Sequence, residues 1–210
     1  MRTLPAPRMT LALLGTALLI LGCIDSQSDP LSSSQPSGEN PQSGSNSLQV
    51  GSTAPPIDIE HWVQNDGSST KGSLQFELGK VYVVEFWATW CPPCVSSMPH
   101  LVSLQKQYAS QGVQIVSISN EPIETVQEFL DGPYRGDSDA GEASPSTFRQ
   151  LTSAYSLTTD PDGSAWEDYL TAAGIDGIPS AFLVGKSGKI EWIGHPMELD
   201  SALAKAVAGP

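Results

Sequence analysis

The chain has 210 residues, 39% hydrophobic and 16% charged, which describes one globular domain with some non-globular chain and excludes a multidomain enzyme. Ten Lys and Arg stand against 23 Asp and Glu, and the net charge of -13 excludes nucleic acid as a default partner, since phosphate-backbone affinity comes from clustered basic side chains. Three cysteines are too few for a disulfide scaffold or a closed four-thiolate zinc site, so the odd one needs its own explanation.

Arg2 and Arg8 precede the apolar run Met9 to Leu21. That run is shorter than the roughly 20 residues a membrane-spanning helix needs and fits the apolar stretch of an export signal. It ends in Ile20-Leu21-Gly22-Cys23, which resembles a bacterial lipobox. The resemblance implies removal of residues 1–22 and acylation of the Cys23 thiol, although Leu21 is bulkier than the pattern prefers. Residues 24–47 are rich in Ser, Pro, Gln and Asn, with Leu31 the last large apolar side chain before Leu48. Such a stretch cannot bury enough surface to offset its entropy, so a disordered tether is expected, with a reach of about 27 Å. Cleavage removes two positive charges and no negative one, so the lipid, not electrostatics, would hold the domain at the membrane. The expected place is extracytoplasmic, at the periplasmic face in a diderm cell.

Residues 48–210 form the folded part. Val81 to Trp87 and Val113 to Ser119 read as two buried strands, and Cys94 to Ser110 between them as a helix stopped by Gly112. Strand, helix, strand implies a right-handed parallel crossover. Helices are expected at Thr125–Leu130 and Trp166–Ala173, and Gly132 to Ser146 reads as an exposed acidic loop. Ser180–Val184 and Ile190–Ile193 read as a hairpin with Gly188 in its turn, followed by a helix over Asp200–Val207. An α/β fold follows, a mixed central sheet flanked by helices.

The chemistry lies in Trp90-Cys91-Pro92-Pro93-Cys94. A strand running into Cys-x-x-Cys and then a helix puts Cys91 at the helix N-terminus, where unpaired amides and the macrodipole favour an anion. Cys91 is therefore the expected nucleophile. Cys94, one turn on, can attack a mixed disulfide and release the substrate. Pro92 and Pro93 withhold two amide donors while stiffening the turn, so their combined effect on the pair's potential has no sign at this level.

The block Phe86-Trp-Ala-Thr-Trp-Cys-Pro-Pro-Cys94, Pro99 five residues on, and Gly177-Ile-Pro-Ser-Ala-Phe-Leu-Val184 together resemble the thioredoxin-like superfamily. Within it, the similarity is to membrane-anchored thiol-disulfide oxidoreductases of the TlpA/ResA type, related to redoxins. The resemblance covers most of 48–210 and implies a thioredoxin-like fold with an N-terminal strand extension and an insertion around 132–150. It implies that Pro179 is the cis-proline beside the cysteines, leaving the Ile178 backbone to pair with an extended substrate and blocking metal capture by the thiols. Glu85, six residues before Cys91, matches a buried carboxylate and is expected to accept the Cys94 proton. Trp90 and Pro92 join the substrate surface, as do Gly194 and His195 on the loop after the hairpin. His195 either supports the Cys91 thiolate or is a rim histidine. His61 and His100 have ordinary surface readings, and Trp192 reads as packing.

The implied reaction is exchange with protein disulfides through a Cys91 mixed disulfide, usually in the reducing direction, without cofactor or metal. Electrons would come from a membrane-linked donor, and a monomer is expected. One alternative is a copper-delivery module built from Cys91, Cys94 and His195, although its relatives carry a three-residue spacer between the cysteines. Another is a thiol peroxidase, but Ala88 stands where that group has threonine.

Overall fold

The computed structural model describes residues 47–64, 72–136 and 145–209. The expected signal segment, the Cys23 lipidation site, the tether up to residue 46 and the centre of the 132–150 insertion lie outside the described residues.

Six strands form one mixed sheet in the order β1-β4-β3-β2-β5-β6. Its centre is β2 (Val81–Phe86), parallel to β3 (Val113–Ser119) on one side and antiparallel to β5 (Ser180–Val184) on the other. β6 (Ile190–Gly194) completes the expected hairpin, with Gly188 at φ 73° in its turn. The N-terminal extension is β1 (His61–Gln64), an edge strand antiparallel to β4 (Ser156–Thr159). β4 was not expected. Ser-Leu-Thr-Thr has a single large apolar residue, and the strand exists because β3 pairs with it in parallel and buries all four residues.

The crossover helix α1 (Pro92–Tyr108) begins two residues earlier than expected. The first helical amides have no intrahelical acceptor, so Pro92 and Pro93 enter α1 without losing a bond. Pro99 lies within α1, and a 3-10 turn over Ala109–Gln111 follows, with Gly112 at φ 80°. Among the described residues the remaining α-helices are α2 (Ile123–Asp131), α3 (Phe148–Leu151), α4 (Ser164–Trp166) and α5 (Asp200–Ala208). α4 runs on as a π-turn over Glu167–Thr171, so the helix expected over 166–173 starts and ends earlier.

Alternation along the strands splits the core into two layers. Val81, Val83, Ile115, Leu157, Ala181 and Leu183 pack with Met98 and Leu101 of α1 and Leu203 of α5. Tyr82, Val84, Phe86, Val116, Ile118 and Phe182 pack on the other side with Ile57, Tyr169 and Leu170. His100 Nε2 lies 3.0 Å from Asp200 Oδ2, linking α1 to α5.

β4 reaches along β3 only as far as Val116, and the side chain of Gln105 on α1 completes the uncovered end. Its Nε2 donates to Val113 O at 2.9 Å, and its Oε1 accepts from Ile115 N at 2.7 Å. Gln105→Ala would strand two buried main-chain groups and should cost about 2 to 4 kcal/mol of stability in urea unfolding. A cost near zero would show that β3 does not depend on this side chain.

The flanks of the expected insertion around 132–150 are ordered, the C-terminal one entering α3 at Phe148. Pro133 bridges Thr147, and Tyr134 N donates to Ser146 O at 2.9 Å. Phe148 stacks on Phe129 at 4.4 Å and meets Tyr134 edge-on at 5.3 Å, while Phe129 packs on Trp87 at 5.7 Å. Arg149 Nε donates to Asp131 Oδ1 at 2.6 Å, which holds the Asp131 carboxyl below its ordinary range.

Candidate active site

β2 delivers the chain to the site. After Phe86 come Trp87, fully buried in the α1 layer, and the Ala88–Cys91 turn, closed by Cys91 N donating to Ala88 O at 3.1 Å. Cys91 caps α1 in extended conformation (φ -98°, ψ 96°), and Cys94 N lies 3.3 Å from its Sγ. A disulfide joins Cys91 and Cys94. Both cysteines are buried, Cys91 at 3% exposed and Cys94 at 0%, so what access the pair offers is at Cys91. Ser97, which the motif did not flag, is fully buried and donates from Oγ to Cys94 O at 2.7 Å.

β5 begins opposite the end of β2, with Ser180 paired to Phe86, and this places the preceding residues beside the cysteines. The Ile178–Pro179 bond is cis, and Ile178 O lies 3.9 Å from Cys91 Sγ. Gly194 pairs with Ala181, bringing the end of β6 and His195 to the same edge. His195 Nδ1 accepts from Met197 N at 3.2 Å and caps the short Pro196–Glu198 turn. Among the described residues no hydrogen bond joins His195 to either sulfur. Trp90 is 68% exposed and Met197 50%, and Pro92 and Pro93 are exposed too. Large apolar groups left in water beside a reactive pair suit the capture of an extended chain.

Glu85 lies on β2 between Ser117 and Ala181 in register, 2% exposed. It continues the Val81, Val83 series, so it belongs to the face that carries α1 and Cys94. Burial pushes its carboxyl from the ordinary 4.5 up to about 8, with the Ser117 hydroxyl pulling the other way. Burial and the Glu85 charge together drive the Tyr155 phenol well above its usual range. No hydrogen bond joins Glu85 to Cys94 among the described residues. His61 is exposed on the edge strand β1, and Trp192 packs half-buried against the α1 layer.

Glu121, just beyond β3, also went unflagged, although it grips the Ala88–Cys91 turn through Thr89. Its partner is 32 residues away in the chain, and no local spacing connects them.

Glu60, Asp160 and Asp162 bring carboxylate oxygens within 4.8 Å of one another. Asp160 already accepts from Ser164 Oγ at 3.2 Å and Ala165 N at 2.7 Å, which identifies it as a brace for the start of α4. No described helix is long and apolar enough to cross a membrane.

Residues 49–207 match the Redoxin family model. The chain belongs to the redoxin family. Among its relatives is Protein FixW of Rhizobium leguminosarum, 30% identical over 164 residues covering 78% of this chain and 68% of that protein. The thiol-disulfide oxidoreductase ResA of Geobacillus thermodenitrificans is 29% identical over 147 residues, 70% of this chain and 69% of that one. A putative thiol:disulfide interchange protein DsbE from Chlorobium tepidum superposes with a TM-score of 0.56 at 22% identity, covering 77% of this chain and all of that one. This redoxin therefore has the thioredoxin-like fold of the ResA/TlpA type, and it is a thiol-disulfide oxidoreductase with Cys91 and Cys94 at disulfide distance.

Proposed function

We propose that this oxidoreductase is a membrane-tethered, extracytoplasmic reductase of protein disulfides. The observation that carries the reading is the Cys91–Cys94 disulfide at the start of α1, facing the Ile178 carbonyl and rimmed by exposed Trp90. In the reduced protein the Cys91 thiolate attacks one sulfur of a substrate disulfide and expels the other as a thiolate, which takes a proton. Glu85 accepts the Cys94 proton, and the Cys94 thiolate attacks Cys91 Sγ, releasing the second substrate thiol and forming the Cys91–Cys94 disulfide. The substrate gains two electrons and two protons, and a membrane-linked dithiol donor restores the pair. The Ile20-Leu21-Gly22-Cys23 sequence supports the tether. Pro179, Gly194 and His195 complete the substrate groove with Trp90, Pro92 and the Ile178 backbone.

Expression of the Cys94→Ser chain in a bacterial host tests the reading. The expected result is a set of disulfide-linked adducts in the membrane fraction, lost on reduction and absent from the Cys91→Ser control. Adducts confined to the cytosol, or none at all, would refute it. A Trp90→Ala variant should keep stability within about 0.5 kcal/mol, the side chain being exposed. It should also raise KM several-fold for a peptide disulfide while sparing a small-molecule one. Equal effects on both substrates would remove Trp90 from the docking surface.

A further inference from the structure

The turn that presents Cys91 is held from outside the motif. Thr89 N donates to Glu121 Oε2 at 2.7 Å and Thr89 Oγ1 to Glu121 Oε1 at 2.7 Å, so one carboxylate takes both donors of one residue. On its far side Glu121 is fixed in turn. Ser119 Oγ donates to Oε2 at 3.0 Å, and Glu121 N lies 3.2 Å from Ser119 Oγ, at the buried end of β3. Thr89 is the second residue of the Ala88–Cys91 turn, where the main-chain N–H has no partner within the turn. Glu121 supplies that partner, and as a charged acceptor it supplies a strong one. Half-buried, it is shielded less by solvent than a fully exposed carboxylate.

We propose that Glu121 is a positioning residue for the redox pair, anchoring the Ala88–Cys91 turn to β3 and holding a negative charge on Thr89, two residues before the nucleophile. The proposal rests on Cys91 being the attacking sulfur. Two consequences are separable. The anchor fixes where Cys91 stands relative to the amides of α1 and the Ile178 carbonyl, which is a matter of geometry. The charge opposes formation of a second anion at Cys91, which is a matter of electrostatics and makes the dithiol the better electron donor. The other titratable groups on the elements around the pair include Glu85 on β2, His100 and Lys106 on α1, Glu124 and Glu128 on α2, Asp176 before the cis bond, and His195 and Glu198 after β6. None of these side chains bonds to the Ala88–Cys91 turn among the described residues.

Glu121→Gln separates the two effects. A glutamine can accept from Thr89 N through Oε1 and donate through Nε2 to the Thr89 hydroxyl, so the anchor persists while the charge is gone. Glu121→Ala removes both. The readouts are the pH dependence of iodoacetamide alkylation of Cys91 in the reduced full-length protein, its reduction potential against a dithiothreitol couple, and turnover of a peptide disulfide. For Glu121→Gln the alkylation midpoint should move to lower pH, with a several-fold faster rate below the wild-type midpoint and a more oxidising potential. Glu121→Ala should lose peptide turnover that the glutamine variant retains. A midpoint and potential for Glu121→Gln equal to wild type would overturn the electrostatic half, and equal turnover in both variants would overturn the anchor. Should the alanine variant fail to fold, the midpoint and potential of the glutamine variant still decide the charge, and the turnover of a Thr89→Val variant decides the anchor. A wild-type Cys91 that resists alkylation at every pH would instead remove the nucleophile assignment, and the proposal with it.

Discussion

A Cys91→Ser variant is expected to lose disulfide exchange down to the uncatalysed background, while Cys94→Ser should complete the first attack and then stall. The asymmetry follows from burial and from the helix start. Cys91 is the cap of α1, next to the Cys94 amide, and is the residue of the pair that retains any exposed surface. Cys94 is enclosed by the α1 layer, so no macromolecular disulfide reaches it, and its one accessible electrophile is Cys91 Sγ. Single-turnover reaction of each reduced variant with a labelled peptide disulfide checks this. One equivalent of label should stay bound to Cys94→Ser, and none to Cys91→Ser. Label retained by Cys91→Ser would reverse the assignment of the two sulfurs.

Glu85→Gln should stabilise the protein increasingly as pH rises and should slow resolution of the mixed disulfide most above about pH 8, where the Glu85 carboxylate is ionised and free to take a proton. The folded chain holds the Glu85 proton up to about pH 8, while the ordinary value in an unfolded chain is 4.5. Below pH 4.5 both states are protonated and wild-type stability is complete in this respect. Between 4.5 and 8 the unfolded state has shed the proton and the folded state has not, so each pH unit favours unfolding by about 1.4 kcal/mol. The accumulated loss is about 5 kcal/mol by the upper end of that window. Glutamine has no such slope. Urea unfolding of both forms at several pH values across this range should show the variant gaining on wild type, and parallel curves would remove the raised pKa. The pH-rate profile is the second check, because glutamine cannot take the Cys94 proton. An unchanged profile would mean that water or another base does so.

The central strands, the crossover, the hairpin and the redox motif were legible because their signals are local: apolar runs of strand length, a glycine at each turn, two cysteines one helical turn apart. Cys91 was expected at the helix N-terminus and caps α1, while the range opened at Cys94 was two residues short, because Pro92 and Pro93 stand at the first positions, where a missing amide costs nothing. β4 escaped notice because Ser156, Thr158 and Thr159 are buried by their neighbour β3 and not by their own character. Gln105 and Glu121 escaped for a related reason. Each is a lone polar residue whose partner is main chain on another element, and only the fold brings the two together. Glu85 was legible because an acid inside Val-Val-Glu-Phe-Trp is improbable without a use, and the parity of β2 fixes the face on which it lies.

The two prolines have an electrochemical consequence. A helix cap ordinarily draws on the amides two and three positions further on. Here the nearer position is Pro93, and Cys94 N is the donor that reaches Cys91 Sγ. Compared with the same turn carrying an amide at 93, the Cys91 anion lacks one stabilising dipole, and that contribution by itself raises the dithiol relative to the disulfide. The spacer is thus a setting on electron-donating strength, worth about 30 mV for about 1.4 kcal/mol in a two-electron couple. Both prolines are exposed, so this setting can be altered without repacking the core.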